Sequence, residues 1–334
     1  MRYLITGTAG FIGSHLAARL LQQGHEVLGV DGMTAYYDVG LKEARHAWLA
    51  TFEGFRSYRI LLSELGSIAT EVEAFRPEVV LHLAAQPGVR YSIENPKTYI
   101  DGNIGGSFYL LELCRRLRPQ HLLIASTSAV YAGRGDVPLA EAAGTDRPLS
   151  IYAASKKSME ILAHSYSHLW DIPTTVLRFF TAYGPWGRPD MALSIFVKKI
   201  LAGHAIDIYN HGKLQRDFTY IDDVVEGTLR LCKQVPLRQC REISSAEAKN
   251  YAAPYRIVNV GGGQPTDLLE FIAEIERALG MKAKRNFLGL QPGEVLRTEA
   301  STELLETLTG FRPVTPIAVG IDRFVKWYRE YYQV

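Results

Sequence analysis

Cysteine is scarce in this chain: Cys114, Cys232 and Cys240 are the only three in 334 residues, and no C-x-x-C spacing joins any two of them. That argues against a disulfide framework and against a structural zinc site, so no metal is expected, and it fits a reducing compartment, the cytoplasm. A surplus of either charge is also missing. The 37 basic and 35 acidic residues are interspersed and leave a net charge of +2. No footprint for nucleic acid or an anionic membrane follows, and a small-molecule ligand is expected. No apolar run approaches the ~18 residues that a membrane-spanning helix needs. The first strand is read from residue 2 onward, so no targeting leader is expected either. Repeats and low-complexity tracts are absent, and a polar patch at 234–252 reads as a surface loop.

What the chain does have is a glycine turn. Gly7, Gly10 and Gly13 stand in Leu4-Ile5-Thr6-Gly7-Thr8-Ala9-Gly10-Phe11-Ile12-Gly13, after an apolar stretch and before Leu16, Ala17, Leu20 and Leu21 at helical spacing. A strand that enters a turn without side chains lets the backbone approach a pyrophosphate. The helix behind it offers free N–H groups and the positive end of its dipole. The spacing is G-x-x-G-x-x-G, and a second strand, Glu26-Val27-Leu28-Gly29-Val30-Asp31, ends in an acid 18 residues past Gly13. A carboxylate there accepts both hydroxyls of an adenosine ribose and repels a 2′-phosphate, which favours NAD over NADP.

Buried-strand runs at Tyr3–Thr6, Val27–Asp31, Val79–Leu83, His121–Ser126 and Thr174–Phe179 alternate with helical stretches such as Ile104–Arg116 and Ser155–Leu169. The alternation predicts an α/β fold: a Rossmann-type doubly wound parallel sheet with a smaller α/β substrate-binding domain. The expected division gives 1–178 to the NAD-binding domain, with later returns near 218–232 and 255–262. Residues 179–217 and 263–334 go to the interleaved substrate domain, because the turn-rich Tyr183–Asp190 segment interrupts the alternation.

Tyr152-Ala153-Ala154-Ser155-Lys156 sets a phenol and an ammonium four residues apart, on one face at a helix start. A tyrosine that titrates near pH ~10 needs roughly 4 kcal/mol of differential stabilisation to act as a base near neutrality. Lys156 and a cationic nicotinamide are the expected sources. Ser126-Thr127-Ser128 follows an apolar strand, which brings a hydroxyl to the strand's carboxyl end. Thr127 then shares a substrate hydroxyl proton with Tyr152 while a hydride leaves for the nicotinamide.

With these residues in view, the chain resembles the extended short-chain dehydrogenase/reductases, and within them the UDP-glucuronate 4-epimerases. The resemblance is carried by His82-Leu83-Ala84-Ala85-Gln86, Val89–Pro96, Arg178-Phe179-Phe180-Thr181, Tyr183–Leu193, Tyr209–Gly212, Arg216–Asp223 and Tyr36–Lys42. It implies NAD as cofactor, Tyr152 as base, Lys156 as activator and Thr127 as second hydroxyl. It also implies an NAD site lined by Gly7, Gly10, Phe11, Ile12, Gly13, Asp31, Leu83, Ala84, Ala85, Gln86, Asn103 and Ser126. Tyr209, Arg216 and Glu294 are expected to hold uracil, diphosphate and ribose, with Leu193 in the same substrate set. A homodimer through the Ile104–Arg116 and Ser155–Leu169 helices is implied as well.

The implied reaction oxidises C4, turns the flat 4-keto sugar over about its diphosphate link and reduces the opposite face. For a uronate the intermediate is a β-keto acid that tends to lose carbon dioxide, so its carboxylate must be held. Ser128 and Thr181 offer neutral hydroxyls for that task, and Arg90 or Arg188 offers charge. Related decarboxylases place glutamate at the position of Ala129, and related 4,6-dehydratases place an Asp-Glu pair after the threonine. Ser128 and Ala129 supply neither. Three departures stand out: Gly32-Met33-Thr34 where asparagines are usual, Leu61-Leu62-Ser63-Glu64 where Asp-Ile-x-Asp is usual, and Ala132, Arg297 and Glu299 elsewhere. A 4-epimerase of neutral UDP-hexoses and a non-catalytic NAD-binding sensor remain the alternatives.

Overall fold

The computed structural model describes residues 1–238, 253–290 and 295–334. Chain order gives β1 (Arg2–Thr6), β2 (Glu26–Val30), β3 (Phe55–Tyr58), β4 (Val79–His82), β5 (His121–Thr127) and β6 (Thr174–Phe179). After them come β7 (Thr181–Tyr183), β8 (Ala205–Ile208), β9 (Gln215–Tyr220), β10 (Tyr255–Val260), β11 (Pro265–Asp267) and β12 (Lys284–Phe287). Seven strands form one sheet in the order β10-β6-β5-β4-β1-β2-β3, and every pairing in it is parallel. β4 and β5 are buried along their whole length, as expected where helices cover both faces. The order reverses between β1 and β4, so a crevice opens beyond the carboxyl ends of those two strands.

The five strands read from sequence are all present, and β3 joins them at the edge. The expected Ile104–Arg116 helix runs Gly106–Leu117, because Ile100–Gly105 ahead of it is wound as a wider π-helical turn. The Ser155–Leu169 helix extends over Ile151–Trp170, since the Ser150 hydroxyl caps it by accepting from the Ala153 N–H at 3.1 Å. Two smaller sheets lie outside the central one among the described residues, β11-β9-β7 and β12-β8. Of the segments expected to return to the first domain, β10 enters the central sheet beside β6. β9 pairs with β7 and β11 instead, and the helix Ile221–Cys232 that follows it packs on the helix Phe11–Gln22. Residues 239–252, including Cys240 and most of the polar patch, lie outside the described residues.

Candidate active site

The glycine turn is compact because side chains have no room in it. Gly7 adopts φ +81°, and a Cβ built there would stand 2.7 Å from the Ala84 nitrogen; one on Gly13 would stand 2.0 Å from the Gly7 carbonyl. The Gly7 N–H donates to the Val30 carbonyl at 2.7 Å, which locks the turn to the end of β2. Behind β1 and β4 a buried relay sets the strand ends. The Thr6 hydroxyl meets His82 Nδ1 at 2.8 Å, His82 Nε2 meets the Ser107 hydroxyl at 3.0 Å, and Ser107 donates to the Asn103 carbonyl. Burial pushes His82 down to about 3, so the ring is neutral and serves as a strut.

A cavity of about 760 Å³ runs over these strand ends. One end is walled by the glycine turn, Asp31, Ile60, Leu61, Leu62 and Lys42; Leu83–Gln86 and Ser126 flank the middle; Thr127, Ser128, Ala129, Tyr152, Lys156, Thr181 and Arg188 close the other. Asp31 accepts from the Ala9 and Met33 N–H groups at 2.9 Å each, one per carboxylate oxygen. Each oxygen keeps a lone pair for a ribose hydroxyl. A side-chain-free turn at a helix start, a carboxylate beyond β2 and an elongated cavity fit a dinucleotide. In the departing 61–64 segment, Glu64 turns back to accept the Leu61 N–H at 2.8 Å, while Leu61, Leu62 and Ser63 line the cavity.

At the other end, Tyr152 sits in the first turn of its helix, and its phenol and the Thr127 hydroxyl line the same stretch of the cavity. Burial is the largest influence on that phenol and pushes it up, whereas the neighbouring Thr127 hydroxyl and the charge of Arg188 pull it down. Lys156 donates to the Ala125 carbonyl at 2.7 Å; burial pushes its ammonium down to about 8 and the charge of Glu160 pulls it back up. Arg188 is a cation that acts on the phenol in this structure, and Lys156, the expected activator, lines the same cavity. Arg188 itself is paired with Asp190 at 2.6 and 3.0 Å, and Asp190 also accepts from the Tyr36 hydroxyl at 3.1 Å. The hydroxyls of Ser128 and Thr181 face the cavity with no protein partner among the described residues.

Several expected residues stand elsewhere. Asn103 lies behind the wall: its amide accepts the Gln86 N–H at 2.6 Å and donates to the Gln86 carbonyl and the Ser155 hydroxyl, so it holds the 84–86 loop onto the Tyr152 helix. Ser126 donates its hydroxyl to Glu160 at 2.6 Å, which leaves mainly its backbone for a ligand. Leu193 is a core residue beside a small hollow. Arg90 stacks its guanidinium 4.8 Å from the Tyr209 ring, and Arg216 reaches the Gln215 and Leu296 carbonyls; all three lie outside the cavity wall. Glu294 lies outside the described residues. Sequence reasoning missed Glu160, which grips Arg178 through two hydrogen bonds of 2.9 and 2.8 Å at 1% exposure on both side chains. Its signal was its place one helical turn after Lys156. The unusual Arg297 and Glu299 pair with each other at 2.6 Å on the surface.

A model of the NAD dependent epimerase/dehydratase family matches residues 3–243. The chain belongs to that family. A Rhizobium meliloti protein named as a probable UDP-glucuronate 4-epimerase is 52% identical to it over 100% of this chain and 98% of its own. UDP-glucuronate 4-epimerase 3 of Arabidopsis thaliana is 42% identical over 98% of this chain and 76% of its own length. Among solved structures, the UDP-glucuronic acid 4-epimerase of Bacillus cereus in complex with UDP-glucuronic acid and NAD superposes with a TM-score of 0.87, at 32% identity over 99% of this chain and 100% of that one. In this chain the glycine turn and the Tyr152–Lys156 pair line one cavity.

Proposed function

We infer that the protein is an NAD-dependent isomerase that interconverts UDP-glucuronate and UDP-galacturonate at C4 with the carboxylate retained. One observation carries this reading: Thr127 and Tyr152 close a dinucleotide-fitting cavity beside Ser128 and Ala129, which bring no acid. Bound NAD supplies the acceptor, and afterwards the donor, of the hydrogen and two electrons at sugar C4. Tyr152 takes the C4 hydroxyl proton, with the Thr127 hydroxyl as second partner of the sugar oxygen, and returns it after the keto sugar has turned. The cationic Arg188 beside it favours the phenolate that this exchange needs. Ser128 and Thr181 hold the uronate carboxylate with neutral donors, and the absence of an acid at these positions leaves decarboxylation and dehydration without a catalyst. Tyr209, Arg216 and Glu294 keep the assigned duties toward UDP as part of this proposal, and Arg90 on the Tyr209 ring belongs with them.

A homodimer and a cytoplasmic location complete the reading. Exposed apolar residues on the Gly106–Leu117 and Ile151–Trp170 helices support the first, and the unpaired, buried Cys114 and Cys232 support the second. Incubation of the purified protein with UDP-glucuronate, read by NMR, tests the activity. UDP-galacturonate is expected to form over many turnovers without net NADH. Accumulation of NADH in step with product identifies a dehydrogenase, and a UDP-pentose as main product identifies a decarboxylase; either result overturns the reading.

A further inference from the structure

Arg45 and Arg178 are the largest fully buried side chains among the described residues, Arg45 at 0% exposure. Its Nη1 donates to the Ala9 carbonyl at 2.9 Å and to the Tyr37 hydroxyl at 2.7 Å. Its Nη2 donates to the Trp186 carbonyl at 2.6 Å and reaches the Gly187 carbonyl at 3.5 Å. All four acceptors are neutral, no carboxylate pairs with Arg45 among the described residues, and its Nε has no partner. A guanidinium keeps its charge throughout the accessible pH range, so an entire cation is buried on neutral oxygens alone.

Its two sets of acceptors lie on two turns that adjoin cavity-lining residues, Gly10 on one and Arg188 on the other. Ala9 lies inside the phosphate-binding turn, one residue before Gly10, which caps the helix Phe11–Gln22. Trp186 and Gly187 immediately precede Arg188, whose charge acts on the Tyr152 phenol. The helix Val39–Leu49 that carries Arg45 grips the second turn twice, because Trp48 stacks on Trp186 with centroids 6.0 Å apart and planes 4° from parallel. Trp186 holds φ +62°, a left-handed conformation that a bulky residue keeps only where its surroundings impose it.

We propose that Arg45 is a positioning residue whose buried charge is completed by the cofactor pyrophosphate and whose fork ties the phosphate turn to the turn that carries Arg188. By drawing the Ala9 carbonyl toward itself, it keeps that oxygen's negative end away from the phosphate. By holding Trp186, it fixes where Arg188 stands. The proposal rests on the reading that a dinucleotide docks on Gly7–Gly13 and a UDP-uronate beside Tyr152.

The test compares Arg45→Gln and Arg45→Lys with the wild type. Adenosine, which lacks phosphate, and ADP-ribose, which carries the pyrophosphate, are each titrated by displacement of NADH fluorescence, and KM for UDP-glucuronate is measured at saturating NAD. Arg45→Gln is expected to weaken ADP-ribose about tenfold or more while adenosine stays within about twofold, and to raise KM. Arg45→Lys is expected to keep most of the ADP-ribose affinity, since the charge remains, yet still raise KM, since a point charge cannot span both turns. If adenosine and ADP-ribose weaken equally in Arg45→Gln, or neither weakens there, the charge role is overturned; an unchanged KM in both variants overturns the tie. Should Arg45→Gln not fold, Arg45→Lys decides alone: a loss of ADP-ribose affinity of about tenfold or more despite the retained charge, or an unchanged KM, overturns the proposal. A wild type that binds no ADP-ribose or does not convert UDP-glucuronate would instead refute the underlying reading, so the two failures are distinguishable.

Discussion

At the scale of single residues the chemistry turns on two titrating groups. In the proposed reaction the Tyr152 hydroxyl is the proton acceptor, and deleting it takes away little of the cofactor surface. Tyr152→Phe is therefore expected to lower kcat by about 10²–10⁴-fold with NAD still bound. Residual turnover within about tenfold of the wild type would remove tyrosine from the role of base. Lys156 makes a different kind of prediction. Its ammonium titrates at 10.5 when unperturbed and at about 8 when folded. Between those values the unfolded chain binds more protons than the folded one, so stability contributed at this site rises as pH rises through the window. Below about 8 both states are protonated and the burial cost is carried in full. Lys156→Met has no such gradient. The wild type should gain thermal midpoint relative to the variant as pH is raised from 8 toward 10.5, and parallel curves would show that the amine is not held down.

At the scale of elements, the glycine turn shows how sharply sequence encodes a local structure. A Cβ on Gly13 would lie 2.0 Å from backbone, and no rotamer relieves such a contact. Gly13→Ala must push the turn off β2 and is expected to abolish NAD binding while the far-ultraviolet circular dichroism stays near that of the wild type. Tight NAD binding by that variant would show that the turn adapts. This turn, the five buried strands and the Tyr152–Lys156 helix were legible because each announces itself within a dozen residues, by apolar runs, helical spacing or glycine. Arg45, Glu160 and Asp190 were not, since what each does is set by partners that only the fold brings near, such as Trp186 for Arg45. The partners of Asn103 were hidden for the same reason: a π-helical turn and three tertiary hydrogen bonds aim its amide at Gln86 and Ser155. β3 and the strands of the two small sheets escaped because three to six residues of mixed polarity carry no periodic signal.

At the scale of the whole molecule, one chain brings the glycine turn, Asp31, Thr127 and Tyr152 to a single cavity. The outer faces of the two helices beside it are another matter. Phe108 and Tyr109 stand half-exposed on Gly106–Leu117, while Ile161 and Leu169, two turns apart on Ile151–Trp170, are 57% and 63% exposed. These helices pack on each other, so their apolar residues form neighbouring stripes rather than scattered contacts. A stable interface buries about 800 Å² per partner, and two adjacent helices offer a surface of that order when they meet their copies in a four-helix arrangement. Light scattering should therefore give twice the chain mass at micromolar concentration. Ile161→Glu sets two like charges close together in low-dielectric surroundings at such an interface and should give monomers. Because each chain carries its own glycine turn, Thr127 and Tyr152 in one cavity, those monomers should still epimerise UDP-glucuronate, at a lower thermal midpoint. A monomeric wild type removes the dimer outright, and a dimeric Ile161→Glu variant moves the interface away from this helix. A monomeric variant that folds but has lost all activity would show that the second copy steadies the Tyr152 helix from outside.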